Sequence, residues 1–163
     1  MTQRETTIHW QDPAAGLAAL PHMSGFDYLR GMMEGTIPGA PIASHISMGL
    51  EDVAEGRVTF SCQPNESHYN PIGMVHGGLV CTLLDSALGC AAHSLLPAGM
   101  GYTSIEIKVN YLRPVSADSG PLTCTGWVTK PGRRVAFAEG EVLDNQGKTV
   151  ATASGSLLIF PLE

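Results

Sequence analysis

The stretch that constrains this chain most runs from Asn70 to Leu96, NPIGMVHGGLVCTLLDSALGCAAHSLL: a turn-rich approach, a His-Gly-Gly start and then a long apolar run. Asp85 is its only charged residue. From Gly77 to Leu96 the run is hydrophobic on nearly every side and rich in small residues (Gly78, Ala87, Gly89, Ala91, Ala92), which predicts a helix buried all round rather than an amphipathic surface helix. At ~1.5 Å per residue it spans about 30 Å, long enough to cross a bilayer. A central Asp, paired glycines and the lack of cationic flanks oppose that. The expectation is the central helix of a soluble domain, with a sheet wrapped around it.

The rest of the sequence supplies the sheet. Ile42 to Leu50 and Gly56 to Cys62 read as two strands joined around Glu51 to Glu55. Beyond Pro97 to Met100, Ile105, Ile107, Val109 and Tyr111 alternate with Ser104, Glu106, Lys108 and Asn110, the clearest strand pattern in the chain. Three more runs, Pro121 to Thr129, Arg133 to Leu143 and Lys148 to Phe160, are separated by turn sequences at Lys130-Pro131-Gly132 and Asp144-Asn145-Gln146-Gly147, which suits consecutive antiparallel hairpins. Two strands, one helix and four strands predict an α+β fold, an antiparallel sheet curled over one long central helix.

Ahead of this lies a different kind of sequence. Ser24 to Glu34 (SGFDYLRGMME) sets Phe26, Leu29, Met32 and Met33 at roughly helical spacing behind a Ser24 cap, which predicts a short amphipathic helix on the main body. Met1 to about Pro21 lacks sustained periodicity and reads as a loose extension or a short helix. The Gly and Pro cluster from Gly35 to Pro41 breaks both helix and strand, so it divides an N-terminal extension, 1–40, from a main domain, 41–163.

A formal charge of −6 and a pI near 5.4 give no global basic face for nucleic acid. The four cysteines, Cys62, Cys81, Cys90 and Cys124, form no CxxC pair and no zinc spacing, and read as reduced, buried residues of a cytoplasmic protein. The N-terminus has no apolar signal core. His68 and His93 read as surface or rim residues, and no metal spacing connects them.

The chemistry concentrates at the helix. The first turn of a helix carries amide N–H groups without internal partners, and the macrodipole adds partial positive charge there. Gly77 sits at that point, and without a side chain its N–H allows close approach by a substrate oxygen. A Gly-Gly pair is also a plain turn into a helix. His76 either orients the loop and hydrogen-bonds near a substrate carbonyl, or simply caps the backbone. Asp85, a lone carboxylate on an apolar helix, carries a large desolvation cost unless it is hydrogen-bonded, which marks it as a functional-site candidate beside the alternative of a buried structural Asp. Asn70 can hold a water or a substrate carbonyl by its amide, and Asn-Pro is equally an ordinary turn dipeptide.

N-x-x-G-x-x-H-G-G with an Asp nine residues after the His, the strand SIEIKVNYLRP and the hairpin GRR-x-x-x-x-x-G-E-V together resemble the hotdog-fold thioesterases, and within them the PaaI-like acyl-CoA thioesterase branch, over roughly Ile42 to Pro161. The resemblance implies a hotdog fold and hydrolysis of an acyl- or aryl-acyl-CoA to free acid and CoA. It gives Asp85 the role of general base or nucleophile, the Gly77 amide that of oxyanion hole, and Ser104, next to Thr103, that of a strand hydroxyl positioning water near the Asp. Gly78 would then border the substrate. No separate cofactor is implied, since coenzyme A is part of the substrate. Its three phosphates favour cations, for which Lys108, Arg113, Lys130, Arg133 and Arg134 are candidates.

Geometry adds a condition. Asp85 lies eight residues beyond Gly77, hence ~12 Å along the same helix. An oxyanion donor must lie within ~3 Å of the developing charge, so two residues of one chain cannot easily share a carbonyl. The expectation is a homodimer with antiparallel helices and two shared sites, alone or as a dimer of dimers. Two other functions fit the same fold: a hotdog hydratase or dehydratase, and a non-catalytic acyl-CoA-binding module.

Overall fold

The structure is a computed structural model that describes residues 2–162; Met1 and Glu163, the outer ends of the two expected segments, lie outside the description. Strands β1 (Met48–Ala54), β2 (Arg57–Cys62), β3 (Met100–Tyr111), β4 (Leu122–Lys130), β5 (Val135–Leu143) and β6 (Thr149–Pro161) form one antiparallel sheet in the order β1-β2-β4-β5-β6-β3. Among the described residues four α-helices accompany it: α1 (Ala14–Ala19), α2 (Gly25–Glu34), α3 (Pro41–His45) and α4 (Gly77–His93). The sheet curls over α4, which is the α+β architecture the strand and helix order predicts.

Helix α4 is held by its apolar side. Leu83, Leu84, Ala87, Leu88 and Ala91 are buried against β2, β4, β5 and β6. At Gly126 the sheet comes so near the helix that a Cβ would stand 2.4 Å from the Ala87 backbone, so only glycine permits this approach. The expected all-round burial is nevertheless wrong. Gly78, Cys81, Thr82, Asp85, Ser86 and Cys90 stay partly open, at spacings that put them on one stripe of the helix. Small and weakly polar residues hide this stripe in the sequence. The helix also ends at His93, with the Ser94 amide donating to the Cys90 and Ala92 carbonyls and the Ser94 hydroxyl to Ala91, so Leu95 and Leu96 lie beyond it.

Two further expectations need correction. Residues 42–50 do not form one strand: 41–45 are helical, and β1 runs from Met48 through Ala54, leaving only Glu55 and Gly56 to turn into β2. Pro41 at the first helical position has a preset φ, and the Ile42-Ala-Ser-His run after it lacks strand alternation. The chain then reverses at Ser47, whose φ of 53° is left-handed. His93 is not a rim residue. It is 7% exposed, stacked on Tyr28 at 5.8 Å and edge-on to Tyr102 at 5.5 Å.

Helix α2 packs onto the same core. The Ser24 hydroxyl accepts from the Asp27 amide at 3.1 Å and so caps α2 as predicted, and the Gly25 amide donates to the Leu96 carbonyl at 2.9 Å. Leu29 joins the buried core, with Phe26, Met32 and Met33 packed at its edge. No helix among the described residues is long and apolar enough to cross a membrane.

Candidate functional site

Strand β3 is where the structure departs most usefully from simple alternation. Its pairing with β6 slips between Ser104 and Glu106, so Ile105 has no partner and stands 58% exposed. Such a bulge shifts the side-chain parity by one residue. Before it, Tyr102 and Ser104 face α4; after it, Ile107, Val109 and Tyr111 do. A strict period of two would have put Ser104 on the face opposite Ile107. The bulge brings it to the helix, where its hydroxyl donates to Asp85 Oδ1 at 2.7 Å.

The helix start is built from local bonds. His76 is the N-cap of α4, and its Nδ1 accepts from the Gly78 amide at 2.8 Å, so the ring proton of the neutral imidazole lies on Nε2. The Gly78 amide is therefore occupied, whereas the Gly77 amide, at the first helical position, has no acceptor within the helix. Tyr111 covers this turn: its hydroxyl donates to the Gly77 carbonyl at 3.0 Å, and a Cβ on Gly77 would meet its ring at 3.2 Å. Asn70 turns inward on its own loop, with Oδ1 accepting from the Ile72 and Met74 amides, both at 3.1 Å. That leaves its side-chain NH2 as the group able to face a ligand.

Sequence reasoning missed three residues of this stripe. Cys81 lies one turn from both Gly77 and Asp85. Burial and then the nearby Asp85 charge push its thiol up, which keeps it protonated and a poor nucleophile. Tyr102 and Tyr111 flank the stripe from β3, with burial the main cause raising both phenols. Inward-facing tyrosines either side of a bulge were the available signal, but the bulge itself has no mark in the sequence.

Asp85, Ser86, Cys90 and Tyr102 open onto an otherwise apolar cavity of about 280 Å3. Burial pushes the Cys90 thiol up to about 12, so Asp85 is the one charged side chain at this cavity.

The expected cations are not gathered at Asp85. Lys108 lies between the core-facing Ile107 and Val109 and so points to the outer face of the sheet. Arg113 lies just past Tyr111, where its guanidinium donates to the Thr149 carbonyl. Arg133 and Arg134 precede β5 at the opposite end of α4, and Arg133 lines a cleft of about 550 Å3 with Leu96, Met100 and Ile159. Among the described residues, no group of three His, Cys, Asp or Glu side chains could hold a metal ion.

Against this geometry, comparison with known proteins gives a consistent answer. The thioesterase superfamily profile matches residues 72–151, a span from the loop before α4 into β6. A candidate esterase of Saccharolobus solfataricus is 32% identical over 119 residues, covering 73% of this chain and 83% of that protein. Human acyl-coenzyme A thioesterase 13 is 29% identical over 103 residues, 63% of this chain and 72% of that one. In structure, the E. coli PaaI protein from the phenylacetic acid degradation operon superposes with a TM-score of 0.72 over 88% of this chain and 96% of that chain, at 23% identity. The chain belongs to the thioesterase superfamily, with the hotdog fold of the PaaI-like proteins, and is a thioester hydrolase.

Proposed function

We propose that this protein hydrolyses acyl-CoA thioesters at sites shared between two copies of the chain, with Asp85 of one copy and the Gly77 amide of the other acting on one carbonyl. The observation that carries the reading is the Asp85–Ser104 hydrogen bond on the open stripe of α4, facing an apolar cavity and eight residues from a helix N-terminus with a free amide. A carboxylate held by a strand hydroxyl is oriented but still has lone pairs for a water or a carbonyl. With Asp85 as base, it takes a proton from water as the oxygen attacks the thioester carbon. The Gly77 N–H and the dipole of α4 stabilise the oxyanion, and collapse of the intermediate expels the CoA thiol with that proton. With Asp85 as nucleophile, the carboxylate attacks the thioester carbon and expels the CoA thiolate, leaving a mixed anhydride; water then opens it to the free acid, its second proton going to the thiolate and the Asp85 carboxylate being restored. Ser104 positions Asp85 in either route, and His76 holds the turn that presents Gly77.

The fold supports a shared site, as does the ~12 Å helix offset. β3 is an edge strand twelve residues long, with Ile105, Tyr111 and Leu112 exposed beside its unpaired edge. Such an edge is a template for pairing with another strand. Two copies of β3 paired antiparallel about a two-fold axis near Ile107 and Lys108 set Tyr111 of one against Ser104 of the other. Gly77 beneath Tyr111 then meets Asp85 beneath Ser104, twice per dimer. In the same arrangement Arg133 and Arg134 of one copy approach the helix start of the other, where CoA phosphates would leave the site.

The test is complementation. Asp85→Asn protomers are mixed and refolded with Gly77→Pro protomers, which lack the donor N–H. Each homodimer should be nearly inactive toward acyl-CoA, and the heterodimer should regain one working site, about half the wild-type activity per dimer. Gly77→Val, which keeps the amide but crowds Tyr111, controls for distortion of the loop by proline. No recovery in heterodimers verified by mass would place each site within one chain.

A further inference from the structure

We propose that the acyl group is selected by a wall that lies outside the matched region 72–151, formed by Met32, Ala40, Ile42, Ala43, Met48 and Leu50, which lines the cavity beside Asp85 and favours uncharged acyl groups of about nine non-hydrogen atoms or fewer. This rests on the thioesterase reading and deepens it by naming what the site takes.

The floor of the cavity belongs to the catalytic framework: Asp85, Ser86 and Cys90 on α4 and Tyr102 on β3. Its opposite side comes from α2, α3, the 39–43 segment and β1, all ahead of residue 72. The same framework can therefore carry a different wall in a different chain. Here the wall is fixed in place: α2 is capped by Ser24 and anchored through Leu29, and α3 leads by way of Ile46 to β1, with the Cys62 thiol donating to the Ile46 carbonyl at 3.0 Å. It is not a loop free to swing away.

Size and polarity then define the ligand. At ~30 Å3 for each water-sized group, about 280 Å3 holds roughly nine such groups. A long fatty acyl chain exceeds that space. No Lys, Arg or His lines the cavity, and Asp85 faces it, so an acyl group with its own carboxylate would enter without a counter-charge. The Ser86 hydroxyl already donates to the Thr82 carbonyl at 2.9 Å, which leaves Tyr102 and Cys90 beside Asp85 as the polar groups of the floor. Met32 and Met48, with Phe60 and Tyr102, supply deformable sulfur and aromatic surface suited to a compact apolar or aryl group.

The experiment measures thiol release by the purified full chain from acetyl-, phenylacetyl-, octanoyl-, palmitoyl- and succinyl-CoA, with wild type, Met32→Ala and Ala43→Phe. Wild type should favour phenylacetyl- or octanoyl-CoA over both palmitoyl- and succinyl-CoA by at least ~10-fold in kcat/KM, the scale at which an apolar pocket discriminates. Met32→Ala should raise the palmitoyl-to-octanoyl ratio, and Ala43→Phe should lower the phenylacetyl-to-acetyl ratio. Thiol release with palmitoyl- or succinyl-CoA preferred, or ratios unmoved in both variants at native circular dichroism, overturns the wall and leaves the thioesterase reading standing. If neither variant folds, the wild-type ranking alone decides. No thiol release from any substrate overturns the thioesterase reading itself.

Discussion

The two sides of α4 obey different rules. On the sheet side, Leu83, Leu84, Ala87, Leu88 and Ala91 are fully buried, and Gly126 removes even a methyl group from the space between helix and strand. On the open side, Gly77, Cys81 and Asp85 follow one another at four-residue intervals, met by Tyr111 and Ser104 of β3 yet only partly covered. The first side fixes where the helix lies; the second leaves space where a substrate and a second subunit can come. Stability should therefore reside on one side and activity on the other, and substitutions can separate them.

The largest effect expected is on the open side. Asp85→Asn keeps shape and keeps an oxygen to accept from Ser104, so the fold should persist while kcat falls by ~10³-fold or more, the scale for removing a catalytic base or nucleophile. Steady-state hydrolysis beside a thermal melt checks both halves. Near-normal turnover would make Asp85 structural and end the contrast between the sides.

Leu84→Ala is the counterpart on the sheet side. Deleting a fully buried leucine costs about 2–5 kcal/mol through lost transfer energy and the cavity left behind. Urea unfolding should show that loss, while kcat per folded molecule stays near wild type. A kcat lowered as far as the stability would mean that the helix transmits core strain to the stripe.

This division also explains what could be read from sequence. The buried side of α4 was legible because apolar residues there recur without interruption, and the hairpins from Pro121 to Phe160 were legible because Lys130-Pro131-Gly132 and Asp144 to Gly147 punctuate them. Asp85 was legible as a charge with no apolar reason to exist. The open stripe was not, because Gly78, Cys81 and Ser86 are residues that tolerate burial or exposure equally. The bulge at Ile105 was hidden for a related reason: Ile105 continues the apolar alternation of Ile107 and Val109, and only the pairing of β3 with β6 shows that it faces out. The stretch 42–47 was misread since Ile42 and Ile46 are good strand residues, and the preset φ of Pro41 outweighs them.

Ser104→Ala sharpens the comparison with a smaller effect. It removes the hydrogen bond from β3 to Asp85, so kcat should fall about 10-fold, in line with a hydrogen bond to a charged acceptor worth ~1.5–3 kcal/mol, only part of it realised at an exposed site. Ser104→Thr, which keeps the hydroxyl, should recover most of it. A loss in KM with kcat unchanged would instead make Ser104 a substrate contact.

The smallest effect lies at the end of α4, where the two sides meet the N-terminal helix. His93 is enclosed by Tyr28 and Tyr102, and burial holds its imidazole below the ordinary 6.5. In the unfolded chain it protonates at the ordinary value, so below that pH the unfolded state binds a proton that the folded state refuses. Stability is thus complete above about 6.5 and declines as pH falls from there toward the depressed folded value. His93→Phe keeps an aromatic ring in the slot and removes the titration. Urea midpoints at pH 7.5 and 5.5 should converge in His93→Phe relative to wild type. An unchanged gap would assign the acid sensitivity to other groups and leave His93 a packing residue alone.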